Sequence, residues 1–136
     1  MAATAVVDTS FLLALISDRD THREWAKVEA ARFPFPWHTC EAVLSEAFHL
    51  LDQEGGRAFS ALLRRELVQV SFHAPREMAS VLDLMDKYRQ LPMAFADGCL
   101  VRMTEIFPEP VVLTTDSHFR IYRRHGRQVV PCVLPA

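Results

Sequence analysis

Four carboxylates stand in stretches of sequence that otherwise carry no charge. Asp8 interrupts the apolar run from Ala5 to Leu13, and Glu46 lies within Val43-Leu44-Ser45-Glu46-Ala47-Phe48. Asp97 is the only charge between Leu91 and Val101, and Asp116 closes Val111-Val112-Leu113-Thr114-Thr115. A carboxylate taken out of water is costly unless it is protonated, paired or bound to a metal. Arg120, near Asp116, is the only Arg or Lys within four residues of any of them. If the four converge, each close pair repels by about 4 kcal/mol at 4 Å and an effective dielectric near 20. A divalent cation removes that repulsion, and an all-oxygen donor set selects a hard ion, Mg²⁺ or Mn²⁺. One such ion activates a water for phosphoryl chemistry, and a second stabilises the leaving oxygen; either number fits. A single Asp after a strand is ordinarily a cap. It is the set of four that points to a metal.

The elements that must position these acids can be read from the punctuation of the chain. Ala3 to Val7 reads as a buried strand ending at Asp8, and Phe11 to Ile16 as a short helix. Asp20 or Thr21 caps a helix to about Ala31, before Pro34 and Pro36. Thr39 caps the next, Glu41 to Gln53, expected to end at Gly55-Gly56. A helix over Arg57 to Glu66 leads to a strand at Leu67 to Phe72. Pro75 and Pro92 open helices ending near Tyr88 and Ile106. Val111 to Thr114 is a second buried strand, Ser117 to Arg124 a short helix, and Gln128 to Val133 a last strand. This alternation predicts a three-layer α/β/α sandwich around a mainly parallel sheet of about four or five strands. Ligands of such sheets bind beyond the carboxyl ends of the strands, where Asp8 and Asp116 fall.

Glu46 is less certain from geometry. Val43, Leu44, Ala47, Phe48, Leu50 and Leu51 make one broad apolar helix face, with Glu46 at one edge and Glu41 at the other. The wheel leaves both open, although Glu41 is also explained by the macrodipole of the first turn.

At 136 residues the chain is expected to form one domain, residues 1–136, with a single core. No apolar run approaches the roughly 20 residues that span a bilayer. A secretory start is also lacking, so a cytoplasmic location is expected, without membrane attachment. Cys40, Cys99 and Cys132 have no paired spacing and read as reduced, buried thiols, not as a zinc site. The net charge is −2, but no acid follows Asp116, while Arg120, Arg123, Arg124 and Arg127 gather with His118 and His125. That basic tail suits RNA phosphates, an acidic protein partner or plain solvation equally well.

These motifs together resemble the PIN-domain ribonucleases, and most closely the VapC-type toxins of toxin–antitoxin pairs. Val6-Val7-Asp8-Thr9-Ser10 resembles the family's opening strand and first acid, and Val43-Leu44-Ser45-Glu46 its glutamate, which selects Glu46 over Glu41. Leu84 to Tyr88 followed by Leu91-Pro92-Met93-Ala94-Phe95-Ala96-Asp97-Gly98 is similar to the toxin subgroup's helix, proline and buried Asp. Leu113-Thr114-Thr115-Asp116 is similar to the family's strand and T-x-D. One departure is Gly98, where alanine is usual. The resemblance implies a metal-dependent endoribonuclease acting on RNA such as tRNA or ribosomal loops, with Asp8, Glu46, Asp97 and Asp116 as its metal-binding and catalytic acids. It also implies a homodimer and a cognate antitoxin whose C-terminal segment blocks the cleft.

Among the remaining residues, Ser10 and Thr114 carry hydroxyls that can orient a metal-bound water or make local turn bonds. His118 reads as a surface histidine. Trp25, Phe33, Phe35 and Trp37 read first as core, and otherwise as a stacking or partner surface. Two other classes compete: a non-catalytic module that keeps the PIN fold for binding, and a phosphatase or receiver-like domain phosphorylated on Asp8. The phosphatase pattern wants an Asp at position 10, where this chain has Ser10.

Overall fold

Alternating β-branched residues bounded by Asp8 form β1, Thr4–Val7, with Ala5, Val6 and Val7 fully buried. The structure, a computed structural model, describes residues 2–136. Asp8 caps α1 (Thr9–Ile16), and α2 spans Arg23–Arg32. Then follow β2 (Trp37–Thr39), α3 (Glu41–Leu50), α4 (Gln53–Arg64) and β3 (Val68–Val70). The second half comprises α5 (Ala74–Lys87), α6 (Phe95–Ile106) and β4 (Pro110–Leu113). A 3-10 turn, Ser117–Arg120, precedes β5 (Arg123–Arg124), β6 (Gln128–Val129) and β7 (Cys132–Val133).

Five strands form one parallel sheet in the order β3-β2-β1-β4-β7, while β5 and β6 pair antiparallel as a separate hairpin. With α5 and α6 packed together and α6 against β1 and β4, this is the expected α/β sandwich. The chain leaves β1 toward β2 on one side, whereas β4 lies on the other. The strand order therefore reverses between β1 and β4, the place where open α/β sheets form their binding crevice. Val7 is level with Leu113, and the Asp8 N–H continues the ladder to Leu113 O at 3.1 Å. Asp8 and Thr114 thus leave the sheet side by side at that crevice.

Four local expectations are corrected. β2 is a strand where only a helix cap at Thr39 was expected, and Cys40, not Thr39, precedes α3. Three residues between Pro36 and a helix are too few to show a period, and pairing with β1 and β3 defines them. Gly55-Gly56 does not end a helix. It lies in the first turn of α4, where a Cβ on Gly55 would stand 3.0 Å from Leu51 Cδ2 and 3.1 Å from Asp52 Oδ1. Any larger residue would force the Leu51 and Asp52 side chains to give by a few tenths of an ångström. The presumed helix Ser117 to Arg124 stops at Arg120 and becomes a strand. The presumed last strand divides at Val130-Pro131 into a piece of the hairpin and a piece of the main sheet.

The core gathers Phe11, Leu12, Trp37, Phe59, Leu100, Met103 and Phe119, all fully buried. Phe11 stands edge-on to both Trp25 and Trp37, and Trp37 Nε1 donates to Phe33 O at 2.9 Å. Of Trp25, Phe33, Phe35 and Trp37, only Phe35 is exposed. Gly98 is explained by packing: a methyl group there would meet Val81 Cγ1 at 3.1 Å, where α6 crosses α5. Cys40 and Cys99 are buried free thiols, whereas Cys132 is half-buried. Asp52 accepts the Gly55 N–H at 2.7 Å, closing the start of α4. Asp52→Ala is expected to cost about 1 kcal/mol, and Asp52→Asn much less. Urea unfolding measures both, and equal midpoints for the wild type and the alanine variant would refute the cap's contribution.

Candidate functional site

Asp8 is the centre of a hydrogen-bonded cluster at the β1–β4 crevice. Its Oδ1 accepts the Thr9 N–H at 2.8 Å, and its Oδ2 accepts the Thr114 hydroxyl at 2.7 Å and the Ser10 hydroxyl at 3.1 Å. Ser10 in turn accepts the Thr115 N–H at 2.9 Å, and Thr114 accepts the Asp116 N–H at 3.0 Å. The two hydroxyls predicted to support the site therefore hold Asp8 and tie the loop after β4 to α1. Asp8 is 6% exposed, and burial pushes its carboxyl up to about 6, opposed by the Thr114 hydroxyl and aided by the charge of Asp97.

Asp97 sits in the first turn of α6 and accepts the Ala94 N–H at 3.1 Å. Its carboxyl is also raised, by burial first, then by Asp116 and Glu46, against the Ala94 and Tyr122 bonds that lower it. Asp116 caps the 3-10 turn through the His118 N–H at 2.9 Å, and His118 Nδ1 lies 3.1 Å from its Oδ1. Glu46 rests on the exposed rim of α3 and accepts the Thr9 hydroxyl at 2.8 Å. Glu41, which the helical wheel left equally open, makes no side-chain bond of this kind to α1 among the described residues.

Asp97 is thus within electrostatic reach of each of the other three acids. Among the described residues, no Lys or Arg makes an ion pair with any of them. This is the donor chemistry of a hard divalent cation: several carboxylates, one of them buried, and no Lys or Arg paired with them among the described residues. Among the described residues, no three or more His, Cys, Asp or Glu side chains stand close enough together to hold a metal ion directly. A hard divalent cation that keeps several of its waters would need few direct carboxylate bonds in such a site. The four acids would hold it there, Asp8 from the buried side and Glu46, Asp97 and Asp116 from the rim.

Two groups absent from the sequence reading complete the site. Thr9, between Asp8 and Ser10, is one. Tyr122 is the other: it is fully buried against Tyr88 and Phe119, and its hydroxyl is 3.4 Å from Asp97 Oδ2. Burial and the neighbouring acids Asp97 and Asp116 hold that phenol protonated well above its ordinary range, so its O–H stays available to donate to Asp97. Nothing in local sequence marks it, since the contact spans 25 residues.

The arginine group does not act as one patch. The Arg123 guanidinium bonds the carbonyls of Arg120, Ile121 and Tyr122, and Arg124 donates to Thr104 O on α6. Arg120 and Arg127 remain exposed. A depression of about 560 Å³ elsewhere is lined by Ser17, Asp18, Arg19, Asp52 and Glu54. Two of its three acids are already engaged, Asp18 with Arg23 and Asp52 with the Gly55 N–H.

The model of the PIN domain matches residues 5–124 of the chain. Among solved structures, the chain is similar to Mycobacterium tuberculosis VapC20, a sarcin-ricin loop cleaving toxin. The TM-score is 0.74 and the identity 23%, over 84% of this chain and 91% of that one. A comparison with curated proteins gives no match. None of the described helices is long and apolar enough to cross a membrane. The sheet order, the acids at its switch point and the match over most of the length agree: the chain belongs to the PIN-domain family.

Proposed function

We propose that the protein is a divalent-metal-dependent endoribonuclease and the toxin of a toxin–antitoxin pair, with Asp8, Glu46, Asp97 and Asp116 as its metal-binding and catalytic acids. The observation that carries the reading is Asp8, an almost buried carboxylate that feels the charge of Asp97 and pairs with no Lys or Arg among the described residues. Membership of the PIN family and the likeness to a toxin that cleaves a ribosomal loop support the same reading. RNA of the ribosomal or transfer class is then the substrate, a cognate antitoxin the protein partner, and a homodimer the assembly.

Mg²⁺ or Mn²⁺, as one or two ions, supplies an activated water and neutralises charge on the phosphate undergoing attack. The chain itself contributes position. Thr114 and Ser10 fix Asp8 in one rotamer, the α6 N-terminus holds Asp97, and the 3-10 turn holds Asp116. Exposed Arg120 and Arg127 are available to RNA phosphates or to an acidic antitoxin segment, whereas Arg123 and Arg124 serve the local backbone. A receiver-like phosphoacceptor role for Asp8 is disfavoured, because among the described residues no lysine pairs with Asp8, Glu46, Asp97 or Asp116.

The test is incubation of pooled transfer and ribosomal RNA with purified protein in Mg²⁺, Mn²⁺ or chelator, with Asp97→Asn as control. Cutting that needs the ion and disappears in the variant is the expected result. Folded protein that neither cuts in any metal nor binds Mn²⁺ would instead establish the non-catalytic PIN module.

A further inference from the structure

We propose that Thr9 is a positioning residue of the metal centre, whose hydroxyl presets the Glu46 carboxylate for the ion. The inference rests on the metal-centre reading above and adds a residue to it. Thr9 is 7% exposed in the first turn of α1, and its Oγ1 donates to Glu46 Oε1 at 2.8 Å across 37 residues of sequence. Its backbone N–H donates to Asp8 Oδ1, so one residue grips two of the four acids, one by main chain and one by side chain.

Three physical features favour positioning over packing alone. Glu46 lies on an exposed helix rim, and the Thr9 hydroxyl is the one hydrogen-bond partner of its carboxylate among the described residues. A free glutamate there would sample many rotamers, and fixing it beforehand removes that entropy from the cost of binding. The donor is neutral, so it orients the carboxylate without cancelling its charge, as a lysine would. The bond uses Oε1 and leaves Oε2 open to an ion. Thr9 itself is stiff, because β-branching restricts χ1 and burial restricts the rest.

The experiment compares the wild type with Thr9→Val, which keeps the branched shape and loses the hydroxyl, and with Thr9→Ser, which keeps the hydroxyl. Electron paramagnetic resonance of free Mn²⁺ gives the affinity. Melting in chelator reports the fold, and RNA cleavage is the second readout. Thr9→Val is expected to bind Mn²⁺ between about 10-fold and 100-fold more weakly, the usual effect of losing a residue that orients a metal ligand. Thr9→Ser recovers most of the affinity, and in a Glu46→Gln background Thr9→Val has no further effect. Unchanged Mn²⁺ affinity in Thr9→Val overturns the proposal, as does an equal loss in Thr9→Ser or an undiminished loss in the Glu46→Gln background. Wild-type protein that binds Mn²⁺ but cuts no RNA would sink the nuclease reading while leaving the Thr9 result decisive. Wild-type protein that binds no Mn²⁺ would sink both.

Discussion

Asp8→Asn is expected to lower RNA cleavage on the order of 10³-fold or more while raising the stability of the metal-free protein. The loss follows from position and charge. Asp8 is the buried member of the acid cluster, and the amide that replaces it brings no charge to hold a cation against Glu46, Asp97 and Asp116. Removing one preorganised electrostatic partner of a reaction commonly costs 10²–10³-fold, and removing a central catalytic group costs more. The gain has the same origin. Without an ion, an ionised Asp8 is a desolvated charge beside a like charge, and the amide is neither. Its amide oxygen still accepts the Thr9 N–H, while its NH2 stands where Oδ2 accepted the Thr114 and Ser10 hydroxyls, which turn to accept from it. Cleavage assays and thermal melts in chelator measure the two effects on one sample. A variant that is inactive because it is unfolded, with a lower melting temperature, would refute this account of Asp8.

The stability of the metal-free protein is expected to depend on pH through the same group. The Asp8 carboxyl rises from its ordinary 3.8 to about 6 on folding. An acid raised in the folded state binds protons more tightly there than in the unfolded chain, so folding is favoured by low pH. The contribution of Asp8 is therefore unfavourable once both states are ionised. It sets in as pH climbs from about 4 and is complete somewhat above 6. A shift of about two units corresponds to about 3 kcal/mol, an order-of-magnitude figure, or about 10 °C in melting temperature for a domain of this size. The other acids contribute equally to the wild type and to Asp8→Asn. The clean observable is thus the difference between wild type and Asp8→Asn, measured in chelator from pH 4 to pH 8. It should be near zero at the acid end and grow to its full value by pH 7, and saturating Mn²⁺ should close it by stabilising only the wild type. A difference that stays flat across this range would mean that Asp8 does not pass from neutral to charged inside the fold.

The two predictions separate roles that activity alone would merge. Asp97 is more open than Asp8 and already receives the Ala94 N–H at the start of α6, so its replacement should cost activity with a smaller stability gain. Asp52, a cap far from the crevice, should change stability and leave cleavage intact. The contrast among these three acids, all equally acidic in sequence, is a property of their surroundings.

Much of this molecule was legible in the chain because its signals are local. Val6 and Val7 before Asp8, and Val112 and Leu113 before Thr114, announce buried strands by composition, and an acid after each strand lies at the carboxyl edge of a parallel sheet wherever that sheet forms. Asp97 declared itself by standing alone among apolar residues, a cost that a fold tolerates only with compensation. Pro75 and Pro92 marked helix starts within a residue or three of the observed ones. Tertiary structure decided what depends on pairing across long separations. β2 exists because β1 and β3 flank three residues that have no period of their own. Gly55 serves the close fit of Leu51 and the Asp52 cap, although Gly-Gly reads in sequence as a helix end. Arg123 and Arg124 look like half of a basic patch until their guanidinium groups are found on backbone carbonyls. Thr9 reaches Glu46 across 37 residues, Tyr122 reaches Asp97 across 25, and Thr114 reaches Asp8 across 106. Hydrophobic period and charge report which face of an element meets solvent, so they place the acids at an edge. Which hydroxyl then meets which carboxylate is set by the order of strands and the packing of helices, and that order arises only when the whole sheet closes.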